Sequence, residues 1–380
     1  MPTNRDLFGQ TISPAQHVYL KNSDPAAAEK LLLKVSLQNL SQYPGEAPSE
    51  YFDITLREGG TLDLVFEYAQ VPRGSFLWAP TFEHYSRNSV LHLNTANNDY
   101  YQNGIPQVAD SIEAAADWIR NVRSALKKPT LRAIGSSMGA YAALLFGNLA
   151  KADFIFAFSP NIRGTVRFLG KEIPYRAIGD VLPRIADRSL ITFGAFELVD
   201  YEPISHCLQA GLRLNDISLL GNVHGNSSSI RLDQIIIADG AVMAQDVLIN
   251  PYNTPLDTKL INNLATAYRL IGTKQHADAL NILQAAAKVD TLNPEFQYRL
   301  AVHMYLAGRP DEALAAAHEA IRLMQYHNTV AGSDILGAST DFRRKVIHDY
   351  SSLLGFTELK AISGLFDRIP KALVRTDLPA

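Results

Sequence analysis

The segment Gly135-Ser136-Ser137-Met138-Gly139 sets a serine hydroxyl between two glycines. A serine hydroxyl is a weak nucleophile. It attacks a carbonyl only where a base removes its proton and fixed donors receive the developing oxyanion. A tight turn from strand to helix meets both needs, and glycine on either side lets the backbone bend without a Cβ clash. Leu131-Arg132-Ala133-Ile134 reads as a strand entering the turn. Ala140-Tyr141-Ala142-Ala143-Leu144-Leu145 reads as a helix leaving it, which is the setting of a nucleophile elbow. The symmetric glycine spacing selects Ser137 over Ser136. The backbone N–H of Met138, at the helix N-terminus, is the expected first oxyanion donor. The second is expected from Ala69 or Gln70, in the loop after the strand Leu62 to Glu67. The plainer alternative is a glycine-rich turn with an exposed serine.

The base and its orienting acid should follow the serine along the chain. His224 lies in Gly221-Asn222-Val223-His224-Gly225-Asn226, just after the short apolar strand Ile217 to Leu220. His17, His84 and His92 precede the serine, His206 falls in an expected helix, and the other five lie in a later helical region. The acid should follow the strand Leu190 to Phe193. Gly194-Ala195-Phe196-Glu197-Leu198-Val199-Asp200-Tyr201 offers two carboxylates, with Asp200 preferred because it stands just before a helix beginning near Pro203, and Glu197 as the alternative. Either could instead be a helix cap, and His224 a surface loop residue.

The elements that must hold these residues alternate. Tyr51 to Leu56 and Leu62 to Ala69 are strand-like with Gly59-Gly60 between them, which suggests a hairpin. Ser89 to Leu93 is an apolar run, and Ser111 to Leu126 has helical periodicity through Ile112, Ala115, Ala116, Ile119 and Val122. Thr130 to Ile134, Phe154 to Phe158, Leu190 to Phe193 and Ile217 to Leu220 are short strands, and Met138 to Leu149 and His206 to Leu212 read as helices. This order predicts an α/β domain over residues 51–250, with a mostly parallel sheet covered by helices on both faces. Residues 1–50 are a partly helical N-terminal segment, with a helix start at Asp24-Pro25 and a loop at Tyr43 to Pro48.

Residues 256–380 predict an all-α domain. Leu270-Ile271-Gly272 resembles Leu306-Ala307-Gly308, and Ala279/Ala313 and Ala286/Ala320 lie 34 residues apart. The segments 258–290 and 293–325 resemble tetratricopeptide repeats, best in Gly308-Arg309-Pro310-Asp311-Glu312-Ala313-Leu314. The turn from Gly272 to Ala279 reads two residues longer than its counterpart, and the consensus Trp and terminal Pro are missing. The stretch Ser339 to Ile369 is again helix-rich and could supply a third pair. A generic helical hairpin cap is the alternative.

Residues 51–235 as a whole resemble the α/β-hydrolase superfamily, with Gly135-Ser136-Ser137-Met138-Gly139-Ala140-Tyr141-Ala142-Ala143 similar to the elbow of bacterial serine esterases. The resemblance implies Ser137, Asp200 and His224 as a catalytic triad and chemistry at a carbonyl. The sheet is short for the family, and only about 30 residues separate Phe158 from Leu190 for a lid.

The 380 residues are 47% hydrophobic and 19% charged with a formal net charge of −3, an ordinary globular composition without a nucleic-acid or polybasic footprint. Cys207 is the single cysteine, so no intramolecular disulfide can form, which fits a reducing, cytoplasmic setting. No membrane span, metal motif or nucleotide cradle is present, and no cofactor is expected. The loop Asn97 to Gly104, with Trp78, Phe82 and Tyr85 nearby, could stack on a sugar or be a structural turn with core aromatics. The expected substrate is a small-molecule or glycan ester, and the helical repeats could bind a protein partner. An acyltransferase or thioesterase would use the same triad, and a non-catalytic module binding a partner through its helices is the reading from another class.

Overall fold

The computed structural model describes residues 5–41, 48–95, 98–168, 171–224, 231–238, 247–248, 251–252, 256–331 and 342–368. Residues 43–47, Asn97, Gly225, Asn226, and residues 339–341 and 369, on which expectations above fall, lie outside them. In chain order the elements are α1 (Pro14–Asn22), α2 (Pro25–Gln38), β1 (Phe52–Thr55), β2 (Thr61–Phe66), α3 (Ala79–Tyr85), β3 (Ser89–Leu93), α4 (Ile112–Ala125), β4 (Thr130–Ser136), α5 (Met138–Leu149) and β5 (Phe154–Phe158). A hairpin of β6 (Thr165–Phe168) and β7 (Lys171–Pro174) follows, then α6 (Leu182–Ile185), β8 (Ser189–Gly194), α7 (Tyr201–Gln209), β9 (Ile217–Leu220) and α8 (Leu232–Ile237). The last stretch is all helix: α9 (Thr258–Gly272), α10 (His276–Val289), α11 (Pro294–Leu306), α12 (Pro310–Ala331), α13 (Phe342–Tyr350) and α14 (Phe356–Asp367).

The strands form a seven-stranded sheet in the order β1-β3-β2-β4-β5-β8-β9. β3, β2, β4 and β5 pair in parallel, and β1 runs antiparallel to β3. The described strand pairs make this a mostly parallel sheet, and a run of helices follows it. The hairpin expected across Gly59-Gly60 is corrected: β1 and β2 do not pair, because β3 lies between them. Gly59 is still required, since a Cβ there would stand 2.8 Å from Arg87 O.

By internal contacts the chain divides into two compact units, Met1–Ile191 with Arg231–Val247, and Thr192–Ile230 with Leu248–Ala380. Residues 192–230 group with the helices because α7 packs on α9 and the turn after β8 is bonded to α11.

In the first unit, Ser13 opens α1 with a capping box to Gln16, a Ser-x-x-Gln pattern. The indole Nε1 of Trp118 on α4 donates to Leu37 O at 2.8 Å, which gives the N-terminal helices a place in this core. Asp63 on β2 stands opposite Arg132 on β4, and both are fully buried. Their bond is bidentate, at 2.6 and 2.8 Å. Arg132 Nη1 also donates to Ala238 O at 2.9 Å, and Asn88 Nδ2 donates to the same oxygen at 3.0 Å, which ties the end of α8 to the sheet.

In the second unit the turns between paired helices repeat after 34 residues. α9 and α11 end at Gly272 and Leu306, and α10 and α12 begin at His276 and Pro310. The left-handed residue of the turn is Lys274 (φ 63°) in the first pair and Gly308 (φ 74°) in the second. Matching bonds close both turns, Gln275 N–H to Leu270 O and Arg309 N–H to Met304 O. The turn expected to be two residues longer is thus the same length. The glycines Gly272 and Gly308 are not equivalent positions, and aligning on them created the apparent insertion. Ala279, Ala286, Ala313 and Ala320 are all fully buried, where small side chains let helices approach.

Replacing Asp63 by Ala leaves the Arg132 charge buried opposite a methyl group. Chemical denaturation should show a loss of about 3–5 kcal/mol, and the double variant Asp63→Leu/Arg132→Met should recover most of it. A loss no larger in the single variant than in the double one would contradict this account of the pair.

Candidate active site

The elbow belongs to the first unit. Ser137 sits between the end of β4 and the start of α5 with φ 53° and ψ −116°, a backbone conformation that a residue with a Cβ rarely adopts. Two missing side chains make it attainable. A Cβ on Gly135 would lie 2.1 Å from Gly139 O, and a Cβ on Gly139 would lie 2.2 Å from Phe66 O at the end of β2. The Ser137 N–H donates to Phe158 O on β5 at 2.8 Å. α5 is almost wholly buried beneath, with Phe146 stacked on Phe66 at 5.5 Å between ring centroids. Ser136 is buried, whereas Ser137 is half-buried.

The loop after β2 carries Ala69 and Gln70. Gln70 is left-handed (φ 72°), and its N–H donates to Asn98 Oδ1 at 2.5 Å. Tyr101 Oη donates to the Glu67 and Leu93 carbonyls at 3.1 and 2.9 Å, and Asn94 Nδ2 reaches Pro72 O and Ser75 O. The described part of the amide-rich loop, for which a sugar contact and a structural turn were the two expectations, braces the backbone beside the strand-to-helix turn. Tyr101 is fully buried, and Tyr100 is buried and stacked on Tyr175 at 4.4 Å. Phe82 is buried too. Trp78 is half-buried, stacked on Phe82 and 6.4 Å from the Phe158 ring.

Asp200 and His224 belong to the second unit and are in contact. His224 Nδ1 lies 2.5 Å from Asp200 Oδ1, with the carboxylate side chain 1% exposed and the imidazole 33% exposed. The other carboxylate oxygen, Oδ2, accepts the Gly194 N–H at 2.8 Å. The strand ends hold the two loops together: Ala195 N–H donates to Leu220 O and Phe196 N–H to Asn222 O. Gly194 allows the crossing, since a Cβ there would be 2.7 Å from Asn222 O and Val223 C. The alternative acid, Glu197, is directed elsewhere. Its carboxylate accepts from Lys345 Nζ at 3.0 and 3.1 Å, and burial pushes its pKa up to about 7 even though Lys345 pulls it down. Lys345, the partner of Glu197, lies 148 residues further along the chain and gave no local signal of this contact.

Among the described residues no group of three or more His, Cys, Asp or Glu side chains is placed to hold a metal, and no helix is long and apolar enough to cross a membrane. No family model matches the chain, and no curated protein matches it. Among solved structures, a Xanthomonas campestris protein described as a member of the α/β serine hydrolases without a lid is 16% identical, over 44% of this chain and 76% of that one, with a TM-score of 0.28.

A further titratable group lies at the base of the loop after β2. The Glu67 side chain has no exposed surface, and burial raises its pKa to about 7, with the amides of Trp78 and Leu77 opposing the shift. His92 Nδ1 is 3.9 Å away, and burial lowers its pKa to about 4. The folded chain therefore holds the Glu67 proton more tightly than the unfolded chain does. This contribution to stability is intact below the ordinary glutamate value of 4.5 and is lost progressively up to about pH 7. Chemical denaturation of Glu67→Gln should remove a pH-dependent loss on the order of 3 kcal/mol between those limits. A pH profile parallel to wild type would show that Glu67 is not held neutral.

Proposed function

We propose that the chain is a serine hydrolase that cleaves a carboxylic ester through an acyl-enzyme on Ser137. The observation that carries this reading is the backbone of Ser137 itself, held at φ 53° on a strand-to-helix turn that two glycines make room for. His224 serves as general base to the Ser137 hydroxyl and then as general acid to the leaving alcohol. Asp200 fixes the imidazole tautomer through Nδ1 and stabilises its charged form. The Met138 N–H is one oxyanion donor. Of the two candidates for the second, Ala69 is favoured, because the Gln70 amide is already bonded to Asn98. Trp78, beside the strand end that receives the Ser137 amide, offers a ring face for the acyl group or for a sugar carrying it, which favours small acyl or glycan O-acyl esters. Water and another acceptor both resolve the same acyl-enzyme, so an acyltransferase or thioesterase would use these groups in the same roles. The 34-residue spacing of the two inter-helix turns supports a tetratricopeptide-like reading of residues 258–325, a type of surface suited to a protein partner.

A fluorophosphonate probe should label the wild-type chain. Ser137→Ala should abolish labelling, and Asp200→Asn should slow it by on the order of 10⁴-fold. Glu197→Gln should keep a far larger share of the rate than Asp200→Asn. Absence of wild-type labelling, or labelling that survives in Ser137→Ala, would overturn the assignment of the nucleophile. In a panel of p-nitrophenyl esters, acetate should be preferred over long chains, and Trp78→Ala should raise KM more than it lowers kcat.

A further inference from the structure

The turn that bears Asp200 is held by side chains that arrive about a hundred or more residues later. Between Gly194 and Asp200 the chain leaves the strand, and its backbone polar groups need partners in a buried setting. Ala195 O accepts from Asn293 Nδ2 and from Tyr201 Oη, each at 2.9 Å. The Leu198 N–H donates to Glu295 Oε1 at 3.1 Å. Glu197 accepts from Lys345 on α13, and Arg299 Nη2 approaches it at 3.7 Å. These anchors are themselves fixed. Asn293 Oδ1 caps α11 by accepting the Glu295 N–H at 3.0 Å, so one side chain serves the helix with its oxygen and the turn with its nitrogen. Arg299 Nε donates to Glu295 Oε1 at 2.7 Å, and Arg299 Nη2 lies 2.7 Å from Asp349. Burial opposes the Lys345 charge, but Glu197, Glu295 and Asp349 together outweigh it and keep it protonated.

We propose that α11 and α13 are a positioning device for the catalytic acid, in which Asn293, Glu295 and Lys345 fix residues 195, 198 and 197 so that Asp200 meets His224. The catalytic roles of Asp200 and His224 rest on the reading above, whereas the bracing of the turn does not. The three tethers fall within four consecutive residues, and Asp200 follows the last of them by two. Its own anchor, the Gly194 N–H, lies on the other side of the turn. A carboxylate held at both flanks has one position open to it. Release of one flank lets it drift, and small misplacements are costly in catalysis. Asn293, Glu295 and Lys345 are thus positioning residues that act through Asp200.

The test uses the full chain and two readouts. The first is the far-downfield proton resonance of the His224 ring N–H bonded to Asp200, identified by its loss in His224→Gln. It reports the position of the acid whether or not the chain is a hydrolase. The second is the kinetics of p-nitrophenyl acetate hydrolysis. Asn293→Ser keeps a residue able to cap α11 but cannot reach Ala195 O. It should lose the resonance and lower kcat by about 10- to 100-fold with KM unchanged. Lys345→Met should do the same, and Lys345→Arg should restore most of both. Leu283→Ala, in the buried face of α10, serves as the control: it should lower the melting temperature and leave the resonance and kcat in place. If Asn293→Ser and Lys345→Met keep the wild-type resonance, or if Leu283→Ala loses it equally, the brace is overturned. A wild-type chain with the resonance but no hydrolysis would overturn the esterase reading and leave the brace standing.

Discussion

The closeness of α5 to the ends of β2 and β4 is the constraint on which the first unit depends. Two absent Cβ atoms permit it, at Gly135 against Gly139 O and at Gly139 against Phe66 O. The consequences run outward. The helix N-terminus comes to the carboxyl ends of the central strands, and Ser137 is forced into a conformation with positive φ. The buried face of α5 packs onto the strands it has just left. Backbone strain of this kind costs on the order of 1–3 kcal/mol, and a local structure retains it only where surrounding packing over-determines it. The stacking of Phe66 on Phe146 and the bond from Ser137 N–H to Phe158 O are that packing.

Buried charge does the comparable work elsewhere. In the first unit the bidentate Asp63–Arg132 pair links neighbouring strands and reaches Ala238 O after α8. In the second unit Lys345 and Arg299 are shared among Glu197, Glu295 and Asp349. Such clusters contribute little net stability compared with apolar packing, because desolvation offsets most of the attraction. They do make the wrong arrangement expensive, since removal of one partner strands another in the interior. Both clusters join elements distant in sequence, and both fix geometry more than they add strength.

The legible parts of the chain were those governed by local rules. Met138–Leu149 and Phe154–Phe158 match their expected bounds, and Ser111 caps α4 where the periodicity begins. The elbow could be read because glycine spacing and flanking elements are local. Strand pairing was not legible: β1 and β2 are adjacent in sequence and are separated by β3 in the sheet, since pairing is set by the whole sheet and not by the turn between two strands. The division into units was hidden for the same reason, because residues 192–230 take their neighbours from beyond residue 250. The repeat was visible in its alanines, but its register was misread at the turn. A left-handed lysine, Lys274, fills the place that glycine fills in the second pair. Asp200 and Glu197 stand as alternatives in the sequence; in the structure Asp200 contacts His224, and Glu197 contacts Lys345, 148 residues away.

That separation bears on the order in which the chain can acquire its final form. During synthesis from the N-terminus, the strands β1 to β5 and the serine turn emerge with their packing partners close behind. The turn at residues 195–200 emerges next, but Glu197 must wait for Lys345, 148 residues further on, and Ala195 for Asn293. A nascent chain, or one cut short before α13, therefore lacks the supports of the turn at residues 195–200. The conformation of that turn is therefore completed only after α13 has been made.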